Sequence, residues 1–131
     1  MQTRSTTADG LTVVTLEGEL DKLTSDVARS ELDRVLGAER LLVDLSAVTF
    51  LDSAGLHVLF RVARAVTKAG GRLGVVVPPE SPLRRVVEIT HVAGAALVCD
   101  SLEAGASALH GVSATEGSGT GVAARPRPAR R

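Results

Sequence analysis

The strongest constraint on the fold of this chain is an apolar segment, residues 41–45, that leads through residues 50–56 into an amphipathic helix pattern. The junction places the hydroxyl of Ser53 where the first amide N–H groups of a helix lack partners. Such a terminus favours negative charge, so a phosphate on Ser53 would be stabilised there. The sequence therefore predicts a hydroxyl whose modification would reverse the charge of the local surface while the fold persists.

The sequence leaves two alternatives for the residue that caps this helix. Ser53 fits the N-cap position, and so does Asp52, which would make Ser53 the first helical residue. Both alternatives keep a carboxylate at the positive end of the helix. Capping and phosphorylation are compatible in either case.

Strand and helix patterns alternate along the chain. Strands are predicted at residues 2–7, 11–20, 41–45, 73–77 and 96–99. Helices are predicted from a cap at Thr24 or Ser25 to Leu36, from Ser53 to about Ala69, after Ser81 with Pro82 at the first helical position, and from Ser101 to about Leu109. This alternation predicts a single α/β domain over residues 1–110, with a mixed sheet of four to five strands and about four helices.

Composition separates this domain from residues 111–131. That segment is rich in Gly, Ser, Arg and Pro without apolar periodicity, so we expect it to be a disordered tail. Its four Arg and one Glu give +3, and because the whole chain has zero net charge, residues 1–110 carry −3. The chain has two Phe and neither Trp nor Tyr, so stacking on bases is poorly supported. We expect no nucleic-acid partner.

The sequence gives little support for a metal site, a cofactor site or a membrane-spanning segment. The single cysteine, Cys99, lies in an apolar strand pattern and is expected to be a core residue, and the three histidines have no metal-ligand spacing. No apolar run approaches the length of a membrane span. We expect a cytoplasmic monomer with neither metal nor cofactor.

Two segments, LVDLS at residues 42–46 and FLDSAGL at residues 50–56, resemble the signature of STAS domains, and most closely that of bacterial anti-sigma factor antagonists. The segment GELD at residues 18–21, with Thr24, is similar to the family's second strand and first helix. Residues 81–89 and 100–103 match its later helices. The resemblance covers roughly residues 10–110 and implies the STAS fold.

The resemblance implies a partner-switching function. In such antagonists the Ser after the Asp is phosphorylated by an anti-sigma factor that is an ATP-dependent Ser/Thr kinase. The unphosphorylated form binds the kinase and frees the sigma factor, the phosphorylated form lets go, and a phosphatase resets it. Ser53 is the implied acceptor, with Asp52 beside it and Asp21 near the partner surface. Ala54 replaces the second Ser often found there, which leaves a single hydroxyl.

Helical geometry adds a hypothesis about the partner surface. At about 100° per residue, one stripe of the helix carries the Ser53 hydroxyl followed by four basic side chains. We call these four the basic ridge: His57, Arg61, Arg64 and Lys68. The ridge would attract an acidic partner surface; the alternative is a plain solvated face. The complete predicted partner-binding set is Asp21, Asp52, Ser53, Ala54, Gly55, His57, Arg61 and Arg64.

Two rival functions stay open at this point. A STAS scaffold or adaptor subunit of a stress-signalling or lipid-transport complex would keep the fold and lose the switch. A phosphoryl carrier or enzyme using Asp44 or Asp52 would need clustered carboxylates for Mg²⁺ and a Lys at a strand end. The last predicted strand is followed by Asp100 and no Lys, so this pattern fits poorly. We therefore expect a binding protein and not an enzyme.

Overall fold

The computed structural model describes residues 1–89 and 96–113, the last four of them by their backbone alone. The strands are β1 (Gln2–Ala8), β2 (Leu11–Leu20), β3 (Arg40–Leu51), β4 (Arg72–Val76) and β5 (Leu97–Cys99). The helices in these residues are α1 (Ser25–Asp33), α2 (Ser53–Lys68), α3 (Arg84–Ile89) and α4 (Leu102–Ser113). The predicted α/β domain with a five-stranded mixed sheet is confirmed.

The sheet has the strand order β1-β2-β3-β4-β5. β1 pairs antiparallel with β2, and the other three pairings are parallel. Asp9 and Gly10 both have positive φ, 54° and 80°, as a two-residue hairpin turn of matching twist requires. The β1–β2 hairpin therefore follows from local turn chemistry.

Helices cover the two faces of the sheet unequally. α1, α2 and α3 pack on one face and bury the main aliphatic core, which includes Leu16, Val43 and Leu59. α4 packs on the other face over β3, β4 and β5, where Leu42 and Leu109 belong to a smaller buried cluster. The C-terminal edge of the parallel strands stays open between these layers.

Several element boundaries differ from the sequence prediction. β3 continues to Leu51 and stays paired with β2 beyond Leu45 through two register shifts, at each of which β3 carries one extra residue. α1 ends at Asp33 and not at Leu36, since Arg34 and Val35 donate to carbonyls three residues back in a tightened final turn.

The later helices differ as well. α3 begins at Arg84 because residues 81–83 form a turn, in which the Ser81 hydroxyl accepts the Leu83 N–H at 3.1 Å. α4 runs to Ser113, three residues into the predicted tail. The remaining tail prediction concerns residues 114–131, which lie outside the described residues.

Candidate functional site

The parallel strands β2 and β3 end side by side at the C-terminal edge of the sheet. The ends of β2 and β3 are in register, with Leu20 opposite Leu51, and the Asp52 N–H donates to the Leu20 carbonyl at 3.3 Å. The loop of residues 21–24 therefore lies against the β3–α2 junction. This pairing brings Asp21 and Ser53 to one edge, as the sequence analysis expects of a shared partner surface.

The Asp52 carboxylate joins the two segments. Its Oδ1 accepts the Gly55 N–H at 3.0 Å, and its Oδ2 accepts the Lys22 N–H at 3.2 Å. Asp52 is thus the N-cap of α2, and Ser53 is the first helical residue. This observation decides between the two capping alternatives.

Asp21 organises the loop of residues 21–24. Its Oδ1 accepts the N–H groups of Leu23 and Thr24 at 3.0 and 3.1 Å. The Thr24 hydroxyl in turn donates to the Glu19 carbonyl at 2.6 Å and accepts the Asp21 N–H at 2.9 Å. The predicted capping of α1 by a Thr24 side chain is absent; that hydroxyl closes the loop instead.

Gly55 lets α2 approach β2. A Cβ at this position would lie 2.5 Å from the Leu20 carbonyl oxygen and 2.6 Å from Leu51 Cδ1. Gly55 is buried, so within the predicted partner-binding set it serves to position the helix. The neighbouring Ala54 is half-buried, and its small side chain leaves Ser53 uncovered.

Ser53 itself is exposed at the head of α2. Within the described residues its hydroxyl has no hydrogen-bond partner, whereas the adjacent Asp52 carboxylate is bonded through both oxygens. The positive end of the helix lies directly beneath it. The hydroxyl is therefore accessible to a phosphoryl donor, and a phosphate on it would have favourable surroundings.

Three large apolar side chains, none of them in the predicted partner-binding set, are exposed on the segments next to this junction. Leu23 is 90% exposed, Val27 and Phe50 are each 49% exposed, and all three lie at the end of the molecule that carries Ser53. The sequence held one available signal: Val27 falls outside the stripe of α1 that buries Ala28 and Leu32, and Leu23 lies in the loop that precedes this helix. Exposed large apolar residues near one another are typical of interaction surfaces.

The basic ridge is only partly continuous. His57, Arg64 and Lys68 are exposed, but Arg61 turns toward α1 and donates to Asp33 Oδ1 at 2.6 Å. The reason is angular: Arg61 lies about 80° around the helix from Ser53, at the border with α1. Its charge is therefore compensated within the chain.

The arrangement contains little that supports catalysis or metal binding. Among residues 1–89 and 96–113, no group of three or more His, Cys, Asp or Glu side chains is placed to hold a metal ion. Asp44 accepts the N–H and hydroxyl of Ser46 at 2.9 and 2.6 Å. Burial, reinforced by Asp100, raises the pKa of the Cys99 thiol and disfavours a nucleophilic thiolate. No helix in these residues is long and apolar enough to cross a membrane.

Comparisons with known proteins agree on one family. A sequence model of the STAS domain matches residues 2–104. The anti-sigma F factor antagonist of Paenibacillus polymyxa is 35% identical over 84 residues, which are 62% of this chain and 71% of the relative. The crystal structure of an anti-sigma factor antagonist from Mycobacterium paratuberculosis superposes with a TM-score of 0.75 at 29% identity, covering 83% of this chain and 93% of the other.

A more distant structure shares the fold. The Bacillus cell fate determinant SpoIIAA, solved in its phosphorylated form, superposes with a TM-score of 0.60 at 20% identity. The overlap covers 85% of this chain and 99% of SpoIIAA.

Proposed function

This chain belongs to the STAS domain family, and we propose that it is an anti-sigma factor antagonist switched by phosphorylation of Ser53. In this function the unphosphorylated chain binds an anti-sigma factor that is a Ser/Thr kinase, and the sigma factor is released. The single observation that carries the proposal is the exposed, unbonded Ser53 hydroxyl at a capped helix start. The names of its relatives support the same class of function.

The chemistry of the switch follows from the charge of a phosphate. Phosphoserine adds about −1.5 to −2 charges at neutral pH. Ser53 lies at the same end of the molecule as the exposed side chains of Leu23, Val27 and Phe50, a set we call the apolar rim. A partner packed on this rim would have to desolvate the phosphate, which strongly disfavours the complex. Binding is therefore lost while the fold is retained.

The predicted partner-binding residues divide into two roles under this proposal. Asp21, Asp52 and Gly55 fix the loop and the start of α2, and so position the surface. Ser53, Ala54, His57 and Arg64 lie where a partner can touch them, while Arg61 acts through its pair with Asp33. The chain supplies a substrate hydroxyl and a docking surface, and the kinase supplies nucleotide and Mg²⁺. A phosphatase restores the hydroxyl.

Mapping of the phosphate tests the proposal. The purified chain is incubated with Mg²⁺-ATP and each ATP-binding anti-sigma factor of its source organism, and the modified residue is located by peptide mass. We expect one acid-stable phosphate, on Ser53, that is lost in Ser53→Ala and kept in the exposed-serine control Ser30→Ala. Phosphate on another residue, an acid-labile acyl phosphate, or no transfer with any candidate kinase would contradict it. A stable complex without transfer would instead support the scaffold role.

A further inference from the structure

The backbone of Lys22 is held beside Ser53. Its N–H donates to Asp52 Oδ2 at 3.2 Å, and Asp52 immediately precedes Ser53 in the chain. The loop around Lys22 is itself fixed, because Asp21 accepts the N–H groups of Leu23 and Thr24. The origin of the Lys22 side chain is therefore set relative to the head of α2 by hydrogen bonds that do not involve its ammonium group.

The ammonium group of Lys22 is available for a new partner. Lys22 is exposed, and within the described residues its side chain forms no ion pair. The two nearest carboxylates, those of Asp21 and Asp52, already accept backbone N–H groups. A lysine presents its charge on a flexible four-carbon stem, which allows it to turn toward a new anion at low cost.

The other charged groups near Ser53 are less suited to neutralise a phosphate. His57, one turn along α2, is exposed and takes no part in the hydrogen bonds that join the loop to the start of the helix. Arg61 is paired with Asp33, and Arg29, in α1, is paired with Asp26. Within the described residues, Lys22 is thus a cation without an ion pair whose backbone is hydrogen-bonded to the junction beside Ser53.

We propose that Lys22 is the internal counter-ion of a phosphate on Ser53. On phosphorylation the Lys22 ammonium turns onto the phosphate oxygens. The surface beside the apolar rim then gains the negative charge of the phosphate and no longer offers the positive charge of Lys22 to a partner. An acidic partner group would then lose an attractive contact and gain a repulsive one. This inference rests on the proposed phosphorylation of Ser53. It adds that the surface also loses the available positive charge of Lys22 when the negative charge of the phosphate appears.

The test is a ³¹P NMR titration of the chain with phosphoserine incorporated at position 53 during synthesis, so that no kinase is needed. The second pKa of phosphoserine is about 6, and a nearby cation lowers it. We expect Lys22→Gln to raise this pKa by roughly 0.2 to 0.7 of a pH unit, the range for an exposed ion pair. Lys22→Arg keeps the charge and should keep the lowered pKa.

Controls assign the effect to this position. Lys68→Gln removes a lysine from the far end of α2 and should leave the phosphate pKa unchanged. The shift caused by Lys22→Gln should vanish in about 1 M salt, where the Debye length is about 3 Å. The substitution leaves the residue 22 N–H in place, so its hydrogen bond to Asp52 is not removed.

Two results would overturn the inference. One is an unchanged phosphate pKa in Lys22→Gln; the other is a rise caused by His57→Gln alone, which would make the histidine the counter-ion. Either result leaves the proposed function intact if a kinase still modifies Ser53. Conversely, a confirmed Lys22 effect with no kinase able to modify Ser53 would support the pairing and reject the function.

Discussion

The carboxylate of Asp52 accepts the backbone N–H of Lys22, 30 positions earlier in the chain, while its other oxygen caps α2 through Gly55. One side chain thereby fixes the position of a loop and the start of a helix together. Ser53 follows directly and takes no part in these bonds. A switch at Ser53 can therefore act through surface charge without any rearrangement of the backbone around it.

Replacement of Asp52 separates its cap of α2 from its bond to the loop. Asp52→Ala removes both hydrogen bonds, and loss of the N-cap alone should lower the free energy of unfolding by about 0.5–2 kcal/mol. Asp52→Asn keeps an oxygen for the Gly55 N–H but places an NH2 group, which cannot accept, against the Lys22 N–H, so it should cost about the 0.5–1.5 kcal/mol of one hydrogen bond. Urea unfolding of both variants measures the difference. Equal stability of Asp52→Ala and the parent chain would show that the cap contributes nothing.

Gly55→Ala tests the close approach of α2 to β2. The new Cβ would lie 2.5 Å from the Leu20 carbonyl oxygen, so the helix must shift, at a cost of about 1–3 kcal/mol. Gly37→Ala is the matched control, because no atom lies within 4 Å of its Cβ. We expect it to change stability by less than about 0.5 kcal/mol or to be stabilising. Similar unfolding midpoints for the two variants would refute the packing role of Gly55.

Charge reversal distinguishes the two arginines of the basic ridge. Arg64 is exposed without an ion pair in the described residues, so Arg64→Glu should weaken partner binding and change stability by less than about 0.5 kcal/mol. Arg61→Glu would face Asp33 and destabilise the fold, and the swap with Asp33→Arg should restore stability. Calorimetry measures the affinity of each variant for the partner, and urea unfolding measures its stability. Undiminished affinity in Arg64→Glu and in the swapped pair would rule out the ridge as a partner surface.

The buried thiol of Cys99 predicts a loss of stability at alkaline pH. Burial raises its pKa in the folded chain, while the unfolded thiol titrates near its ordinary value of about 8.5. Its contribution is complete below pH 8.5, and it is lost as the pH rises toward the folded pKa, with a slope of at most about 1.4 kcal/mol per pH unit. Urea unfolding under reducing conditions between pH 7 and 9.5 measures this slope. Cys99→Ala should flatten it, and an identical slope in both proteins would exclude the thiol as its origin.

Local chemistry made much of the fold predictable from sequence. The Asp9-Gly10 turn fixes the β1–β2 hairpin, and the apolar strand ending at Asp52 leads directly into α2. The resemblance supplied Asp21 and Ser53, which the parallel pairing of β2 and β3 brings to the same edge of the sheet, and their contact with a partner stays a prediction. These features depend on residues close in sequence or on a motif with fixed spacing.

The remaining features depend on contacts that no local pattern encodes. The bond from Lys22 to Asp52 exists because two strands end in register, and the pair of Arg61 with Asp33 exists because α1 packs beside α2. β3 extends to Leu51 through two register shifts at which it carries one extra residue relative to β2, and apolar alternation does not reveal these shifts. The packing of the helices and strands therefore determines which basic side chains near Ser53 form an ion pair within the described residues, as Arg61 does with Asp33, and which do not.

The most direct test of the central claim is the affinity of the chain for the anti-sigma factor kinase that modifies it, measured with and without phosphate on Ser53. Phosphoserine 53 should weaken binding by at least tenfold, equivalent to about 1.4 kcal/mol, while Ser53→Ala binds like the parent chain. Ser107→Asp, a new negative charge on α4 across the sheet from α1 and α2, should leave the affinity unchanged. Equal affinity of the phosphorylated and unphosphorylated chains would contradict the switch and leave Ser53 as no more than the first residue of a helix.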